Sequence, residues 1–154
     1  MIDNIVKKLE DMTLMDGIST EVLRAMAENG KLLRLENGDV VFEEGAESDR
    51  NIYFMLSGTA AAVKFMRKNE RDVGIMQGGD YFGEFALFTK QPRQAKVEAR
   101  EKTEILEVSY AVLDSLKDDH ALEIITLYEN MFAQVAKRFS AMAKKAEKTQ
   151  FWLK

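Results

Sequence analysis

The middle of the chain, from Leu32 to Val108, is a series of short apolar runs separated by turn residues. The runs are rich in Val, Ile, Tyr and Phe, which suit a pleated and half-buried surface. They cover residues 40–42, 52–56, 61–65 and 73–76. The turns between them are rich in Gly, Asn, Asp and Ser, which favour tight reversals of the backbone. Short strands at this spacing predict an antiparallel sandwich or barrel.

Helical patterns precede this region. Apolar residues recur at helical spacing near the start of the chain, and residues 1–29 are predicted to be helical. A break is expected at Asp16-Gly17. Ser19 or Thr20 can cap a second helix, which ends near Asn29-Gly30.

Helices also follow the strand region. Ser109 is predicted to cap a short helix, and a long helix is expected from Asp119 towards Gln150. One apolar stripe on the long helix, interrupted by Glu129, contains Leu122, Ile125, Phe132, Ala136, Phe139, Ala143 and Ala146. A second stripe contains Ile124, Tyr128, Met131, Val135 and Met142. If one stripe lies on the barrel, the other is available for a partner helix, which predicts a homodimer. The alternative is that both stripes pack within one chain. Phe151 and Trp152 follow, and the sequence does not decide what they contact.

We therefore expect one domain over residues 1–154. It comprises N-terminal helices in residues 1–30, a β-barrel in 31–108 and C-terminal helices in 109–150.

The segment from 80 to 97 brings a glycine, a carboxylate and an arginine close together between two strand-like runs. Gly83 lets the backbone approach a ligand closely because it has no Cβ. Glu84 to Phe88 suit a short helical turn with free N–H groups. Arg93 offers a planar, permanently charged fork to phosphate oxygens. Glu84 would repel a phosphate but can accept a hydrogen bond from a sugar hydroxyl, so the segment suits a ribose joined to a phosphate.

This segment resembles the phosphate-binding cassette of the cyclic nucleotide-binding domain family, as found in catabolite-activator-like and protein kinase regulatory-subunit-like effector domains. The positions on the family pattern are Phe82, Gly83, Glu84, Ala86, Leu87, Pro92, Arg93, Ala95 and Val97. The placements of Gly45, Tyr53 and Gly58 match the family too. The resemblance therefore covers roughly residues 13–145.

The resemblance implies a mainly β fold with flanking helices: a double-stranded antiparallel β-helix, or jelly-roll barrel, with N-terminal helices and a long C-terminal helix. It also implies that Glu84 binds the ribose 2′-hydroxyl and Arg93 the cyclic phosphate. Backbone N–H groups at Ala86 and at Gln94–Ala95 would complete the phosphate cradle. The ligand-binding residues predicted on this basis are Phe82, Gly83, Glu84, Phe85, Ala86, Arg93, Gln94 and Ala95.

The function that the resemblance implies is a non-enzymatic sensor of a 3′,5′-cyclic nucleotide, with cyclic AMP favoured over cyclic GMP. Movement of the C-terminal helices over the base would carry the signal to a downstream protein whose identity the sequence does not give. Catabolite-activator-like regulators carry a further DNA-binding domain after the long helix. This chain has no room for one, so we expect no direct DNA binding.

Two alternatives remain open. Gln94 stands where the family commonly has a small residue, and it either reaches the base edge or crowds the site. Met142 lies near the helix position where hydroxyl residues of catabolite-activator-like proteins touch adenine. The chain is then either a fold that has lost the nucleotide and acts as an interaction module, or a sensor for another anionic metabolite.

Glu84 and Arg93 could also pair with each other. In an empty pocket we expect Glu84, Asp80 or an anion near Arg93.

Composition excludes several classes of function. The 154 residues carry a formal net charge of −4, which does not favour general nucleic-acid binding. Cysteine is absent and His120 is the single histidine, so thiolate and histidine-rich metal sites are excluded and we expect no metal. No nucleophile–base pair stands out, so we expect no enzyme and no catalytic residue. The sequence lacks a long apolar run and a signal-peptide pattern at its start, which predicts a cytoplasmic protein without membrane contact.

Overall fold

The structure, a computed structural model, describes residues 1–148 in full and the helical backbone as far as Leu153. Phe151 and Trp152 therefore lie outside the residues whose side chains are described. Four α-helices flank and interrupt the strands: α1 Ile2–Glu10, α2 Thr20–Asn29, α3 Glu84–Phe88 and α4 Tyr110–Leu153. A 3₁₀ turn, Thr13–Met15, lies between the first two helices.

Eight strands make up the β region. They are β1 Lys31–Leu35, β2 Val40–Phe42, β3 Asn51–Ser57, β4 Thr59–Met66, β5 Asn69–Gln77, β6 Tyr81–Phe82, β7 Lys96–Ala99 and β8 Thr103–Ser109. The strands form two four-stranded antiparallel sheets with orders β1-β8-β3-β6 and β2-β7-β4-β5. The predicted jelly-roll with helices at both ends is confirmed.

The first sheet packs against the N-terminal helices and α4. Their shared core includes Leu9, Leu23, Phe54, Leu106 and Leu127, all of which are buried. A smaller core lies between the two sheets and includes Tyr53, Met55, Phe82, Val97 and Ile105.

Ser19 caps α2 as predicted, since its Oγ accepts a hydrogen bond from Val22 N–H at 3.3 Å.

Helix α4 is two helices joined at a kink. His120 has non-helical dihedral angles (φ −134°, ψ 39°), so the helix divides there into a short first segment and a long second one. Ser109 caps the first segment, because its Oγ accepts from Val112 N–H at 3.2 Å. The sequence predicts this division.

Among the described residues, no helix is long and apolar enough to cross a bilayer.

Candidate ligand-binding site

A cleft of about 470 Å³ opens between α3, strand β5 and the loop that precedes β7. This volume is within the range of small-molecule sites. All eight ligand-binding residues predicted from the sequence line it: Phe82, Gly83, Glu84, Phe85, Ala86, Arg93, Gln94 and Ala95. Val73 and Ile75 of β5 also line the cleft, and both are half exposed. The cleft therefore joins a charged end at Arg93 to an apolar wall.

Arg93 is the buried cation of the site, with only 5% of its surface exposed. Its Nη2 pairs with a carboxylate oxygen of Asp49 and donates to Asn51 O at 3.1 Å. Its Nη1 donates to Gly83 O at 3.4 Å. Its backbone is fixed too, since Arg93 N–H donates to Ala46 O at 2.8 Å. These bonds hold the guanidinium against the base of the cleft.

One donor of Arg93 has no partner. Its Nε is buried and makes no hydrogen bond to any described residue. A buried donor of a charged group is costly to leave unsatisfied. Because Arg93 lines the cleft, its charged guanidinium can bind an anion there.

Aromatic rings form the surface on which Arg93 lies. Its guanidinium carbon is 4.2 Å from the centroid of the Phe42 ring and 5.5 Å from that of Tyr53. Tyr53 stacks on Phe82 with ring centroids 5.0 Å apart. Burial raises the pKa of the Tyr53 hydroxyl, so the ring remains neutral at physiological pH. Phe42 was not predicted from the sequence as part of the site.

Gly83 is the N-cap of α3 and has a backbone conformation that few other residues adopt. Its φ is +89°, in the left-handed region. A Cβ added there would lie 2.9 Å from Arg93 Nη1 and 3.2 Å from Asn51 O. A side chain at position 83 would therefore push against the guanidinium and the backbone that holds it.

Glu84 is buried and faces a different cation. Its Oε1 accepts from Arg138 Nη1 of α4 at 3.1 Å. The Arg138 guanidinium carbon lies 5.2 Å from the centroid of the Tyr81 ring, and Tyr81 Oη donates to Met131 O of α4 at 3.1 Å. Burial, together with the charge of Glu84, raises the pKa of Tyr81 to about 12. Three contacts thus join the segment from 81 to 84 directly to α4.

The prediction that Glu84 or Asp80 lies beside Arg93 is wrong. Asp49 occupies that place, whereas Glu84 pairs with Arg138 and Asp80 accepts from Gln77 N–H at 2.8 Å. The turn at 44–49 contains three acidic residues, and no sequence signal marks the last of them as the partner of Arg93.

Gln94 is exposed at the rim of the cleft, and Ala95 is half buried. Met142 is well exposed on α4 and is absent from the lining residues, so it does not contact the cleft in this arrangement. Among the described residues, no group of three or more acidic or histidine side chains is arranged to hold a metal ion.

This chain is similar to known proteins in both sequence and fold. The sequence model of the cyclic nucleotide-binding domain matches residues 32–120. A cAMP-dependent protein kinase regulatory subunit of Mycosarcoma maydis is 28% identical over 129 residues, which are 84% of this chain and 22% of that protein. The chain thus spans about a fifth of the length of this curated relative.

Two solved structures share the fold. A cyclic nucleotide-binding domain from Methylobacillus flagellatus KT gives a TM-score of 0.78 at 17% identity, covering 94% of this chain and 81% of the other. The regulatory domain of Toxoplasma gondii PKA, crystallised with cAMP, gives 0.65 at 21% identity, covering 84% and 55%. Family members are typically regulatory, non-catalytic modules. The model match alone covers more than half of the residues, and the chain belongs to the cyclic nucleotide-binding domain family.

Proposed function

We propose that this chain binds a 3′,5′-cyclic nucleotide in the cleft, with the cyclic phosphate at Arg93. The observation that carries the proposal is the buried guanidinium of Arg93, which lines the cleft together with Gly83 and has an unpartnered Nε. A cyclic phosphate is a compact monoanion that this donor suits. Backbone N–H groups at Ala86 and at Gln94–Ala95 are the further donors proposed for it.

The ribose would bind at Glu84. Its carboxylate is buried at the cleft and uses Oε1 for Arg138. Its other oxygen, Oε2, forms no hydrogen bond in the site to any described residue. A ribose 2′-hydroxyl can donate to the carboxylate without displacing Arg138, so Arg138 would orient Glu84 for the sugar.

We infer that cyclic AMP is preferred over cyclic GMP. The short gap between Ala86 and Arg93 is the length common in family members that bind cyclic AMP. The cAMP-dependent protein kinase regulatory subunit of Mycosarcoma maydis and the structural neighbour crystallised with cAMP support the same choice. The apolar wall of Val73 and Ile75 offers a purine face a dry surface, and Gln94 is the nearby polar side chain that could meet a base edge.

The function is that of a non-enzymatic sensor that signals through α4. Glu84 contacts Arg138, and Tyr81 contacts both Arg138 and Met131, so a ligand that shifts the segment from 81 to 84 alters its contacts with this helix. The ligand changes the position of α4 only by as much as it prefers one arrangement over the other. A downstream protein would read that change.

We also infer a homodimer through α4. Leu122, Phe132 and Phe139 are respectively 80%, 75% and 72% exposed, on the stripe with alternating spacings of three and four residues. Ile124, Leu127 and Met131 of the opposite face are buried in the core. A sustained apolar stripe with this spacing, left open by its own barrel, suits a second copy of the same helix.

The proposal is tested by calorimetric titration with cyclic AMP and cyclic GMP. Binding of cyclic AMP in the micromolar range, about −8 kcal/mol, is expected. Arg93→Ala should weaken it at least about 100-fold, because a charge-assisted phosphate contact is lost. Arg93→Lys, which keeps the charge without the fork, should fall between the two proteins.

Arg100→Ala is the matched control, since Arg100 pairs with Asp72 outside the cleft. It should bind as the wild type does. Absence of binding of either nucleotide to the folded wild-type protein would contradict the proposal.

A second candidate function is favoured by one observation. Both charged side chains of the predicted site already have protein partners, Asp49 for Arg93 and Arg138 for Glu84. A fold that has lost its ligand and serves as a protein-interaction module would show such internal pairs. A folded dimer without nucleotide affinity would favour this candidate.

A further inference from the structure

Arg50 has an unusual backbone for its residue type. It lies in the loop before β3. Its φ of +55° is in the left-handed region, which residues with a side chain rarely adopt. Such a conformation costs free energy and persists only where surrounding contacts hold it. The contacts that hold Arg50 come from two different elements.

The first element is α3. Arg50 Nε and Nη2 both donate to Leu87 O, at 3.1 and 3.0 Å. Leu87 lies in the last turn of α3, where carbonyl groups have no partner within a helix. Ser48 Oγ adds a bond to Ala86 O at 3.0 Å. The loop therefore binds the C-terminal end of α3.

The second element is α4. The Arg50 guanidinium carbon lies 3.7 Å from the centroid of the Tyr110 ring, and Arg50 O accepts from Tyr110 N–H at 2.8 Å. Tyr110 is the first residue of α4, and Lys117 Nζ lies 3.4 Å from its hydroxyl. Arg50 is thereby fixed to the short segment of α4 that precedes the kink at His120.

The neighbour of Arg50 completes the connection to the ligand site. Asp49 pairs with Arg93, accepts from Tyr53 Oη at 3.2 Å and accepts from Asn51 N–H at 3.1 Å. Residues 48, 49 and 50 thus contact α3, Arg93 and α4 in turn. We refer to residues 48–50 as the coupling loop.

We propose that Arg50 is a positioning residue that transmits movement of α3 and Arg93 to the first segment of α4. This inference rests on the proposed function and adds to it the route by which the signal leaves the cleft. The guanidinium holds Leu87 O and the Tyr110 ring simultaneously, so a displacement of α3 pulls on α4 through one rigid, planar group. Arg50 does not line the cleft, so its loss leaves the ligand's own contacts in place.

The test measures affinity and helix position separately. The protein has no cysteine, so spin labels at Asn37→Cys and Lys144→Cys report the distance from an exposed barrel turn to the second segment of α4. Electron–electron double resonance is recorded with and without saturating cyclic AMP, and affinity is measured by calorimetry. The variant is Arg50→Asn, because asparagine tolerates the left-handed backbone but cannot bridge the two elements.

We expect wild type to show a ligand-induced change in the distance. Arg50→Asn should bind cyclic AMP within about tenfold of wild type, a change of less than about 1.4 kcal/mol, and lose the distance change. Tyr110→Leu removes the α4 end of the same contact and should behave alike, which keeps the test valid if Arg50→Asn does not fold. Arg24→Asn, which removes an exposed pair with Asp3, is the control and should respond as wild type.

Two results would overturn the inference while leaving the proposed function intact: an unchanged distance response in both Arg50→Asn and Tyr110→Leu, or a loss of affinity well beyond tenfold in both. A wild type that binds cyclic AMP without any distance change would overturn both this inference and the proposed signalling through α4, but not the proposed binding. Failure of the wild-type protein to bind any cyclic nucleotide would instead overturn the proposed function, and this inference with it.

Discussion

Arg93 is a cation that the fold has removed almost completely from water. A buried charge is tolerated only where it is paired and hydrogen-bonded, and Asp49, Asn51 O and Gly83 O meet that need for the Nη atoms. The remaining Nε has no partner among the described residues, and we propose that a bound anion supplies one. The geometry around this one residue thus carries the proposed chemistry.

Gly83→Ala should damage the site more than the fold. Alanine at φ +89° costs about 1–2 kcal/mol of stability wherever it occurs. At position 83 its Cβ also meets Arg93 Nη1 at 2.9 Å, so we expect affinity for cyclic AMP to fall by about tenfold. Calorimetry and urea unfolding measure the two effects.

Gly38→Ala is the matched control for this prediction. Gly38 has a similar φ of +93°, but a Cβ there would meet nothing within 4 Å. It should lose comparable stability and keep its affinity. Equal affinity in the two variants would show that Gly83 does not position Arg93.

At this scale the sequence predicts the local part of the site and misses the distant part. Gly83, Glu84 and Arg93 lie close in the chain, and together with the resemblance to the family pattern they predict one pocket. Asp49 is 44 residues from Arg93, and Arg138 is 54 residues from Glu84, so both pairings depend on the tertiary fold. No local pattern distinguishes these two from the other charged residues of the chain.

At the scale of elements, the N-terminal helices are attached to α4 by a capping interaction. Ser19 N–H, at the start of α2, donates to Glu123 Oε1 of α4 at 2.5 Å. Asn130 of α4 donates to Leu14 O at 2.9 Å. These contacts make α4 a common neighbour of the N-terminal helices and the ligand cleft.

The Glu123 contact predicts a pH-dependent stability. The hydrogen bond from Ser19 N–H holds the pKa of the Glu123 carboxyl below its ordinary value of 4.5. A lowered pKa in the folded state stabilises the protein above the unfolded-state pKa, and this stabilisation is lost as pH falls through the folded-state value.

Glu123→Gln should therefore lower the free energy of unfolding by about 1 kcal/mol at pH 7. The difference from wild type should shrink below about pH 4. Urea unfolding at several pH values measures it, with Glu28→Gln, an exposed residue of α2, as control. A difference that is constant with pH would show that ionised Glu123 does not stabilise the fold.

Helical elements are predictable here because their signals are local. The caps at Ser19 and Ser109 and the extent of α3 follow from neighbouring residues. Strand β6 has only two residues, too few to show a periodic pattern. Strands β1 and β8 are the first and last strands in the sequence, and no local signal specifies that they pair.

At the scale of the whole molecule, α4 presents two faces with different roles. The face with Ile124, Leu127 and Met131 is buried against the core, whereas Phe132 and Phe139 are exposed. The sequence predicts two apolar stripes but cannot decide which of them meets the barrel. In the structure the stripe with Ile124 and Met131 meets the core, after the kink at His120.

Phe132→Asp should convert the proposed dimer to a monomer. The side chain is 75% exposed in the single chain, so its loss removes no core contact and should leave monomer stability nearly unchanged. A carboxylate at the centre of an apolar seam would be desolvated against its symmetry mate, which is strongly unfavourable.

Size-exclusion chromatography with light scattering measures the mass. Lys137→Asp is the control, since Lys137 is exposed on the same helix but lies off the stripe. It should remain a dimer. A monomeric wild-type protein at tens of micromolar, or a dimeric Phe132→Asp variant, would contradict the dimer.

The most direct test of the central claim is a nuclear magnetic resonance titration that follows the Arg93 Nε–H signal during addition of cyclic AMP. This atom is buried and unpartnered among the described residues, so a new phosphate bond should shift its proton resonance markedly downfield. The account predicts a shift that saturates at one nucleotide per chain, accompanied by changes at Gly83 and Ala86. Binding that leaves the Arg93 signal unchanged, or no binding at all, would contradict it.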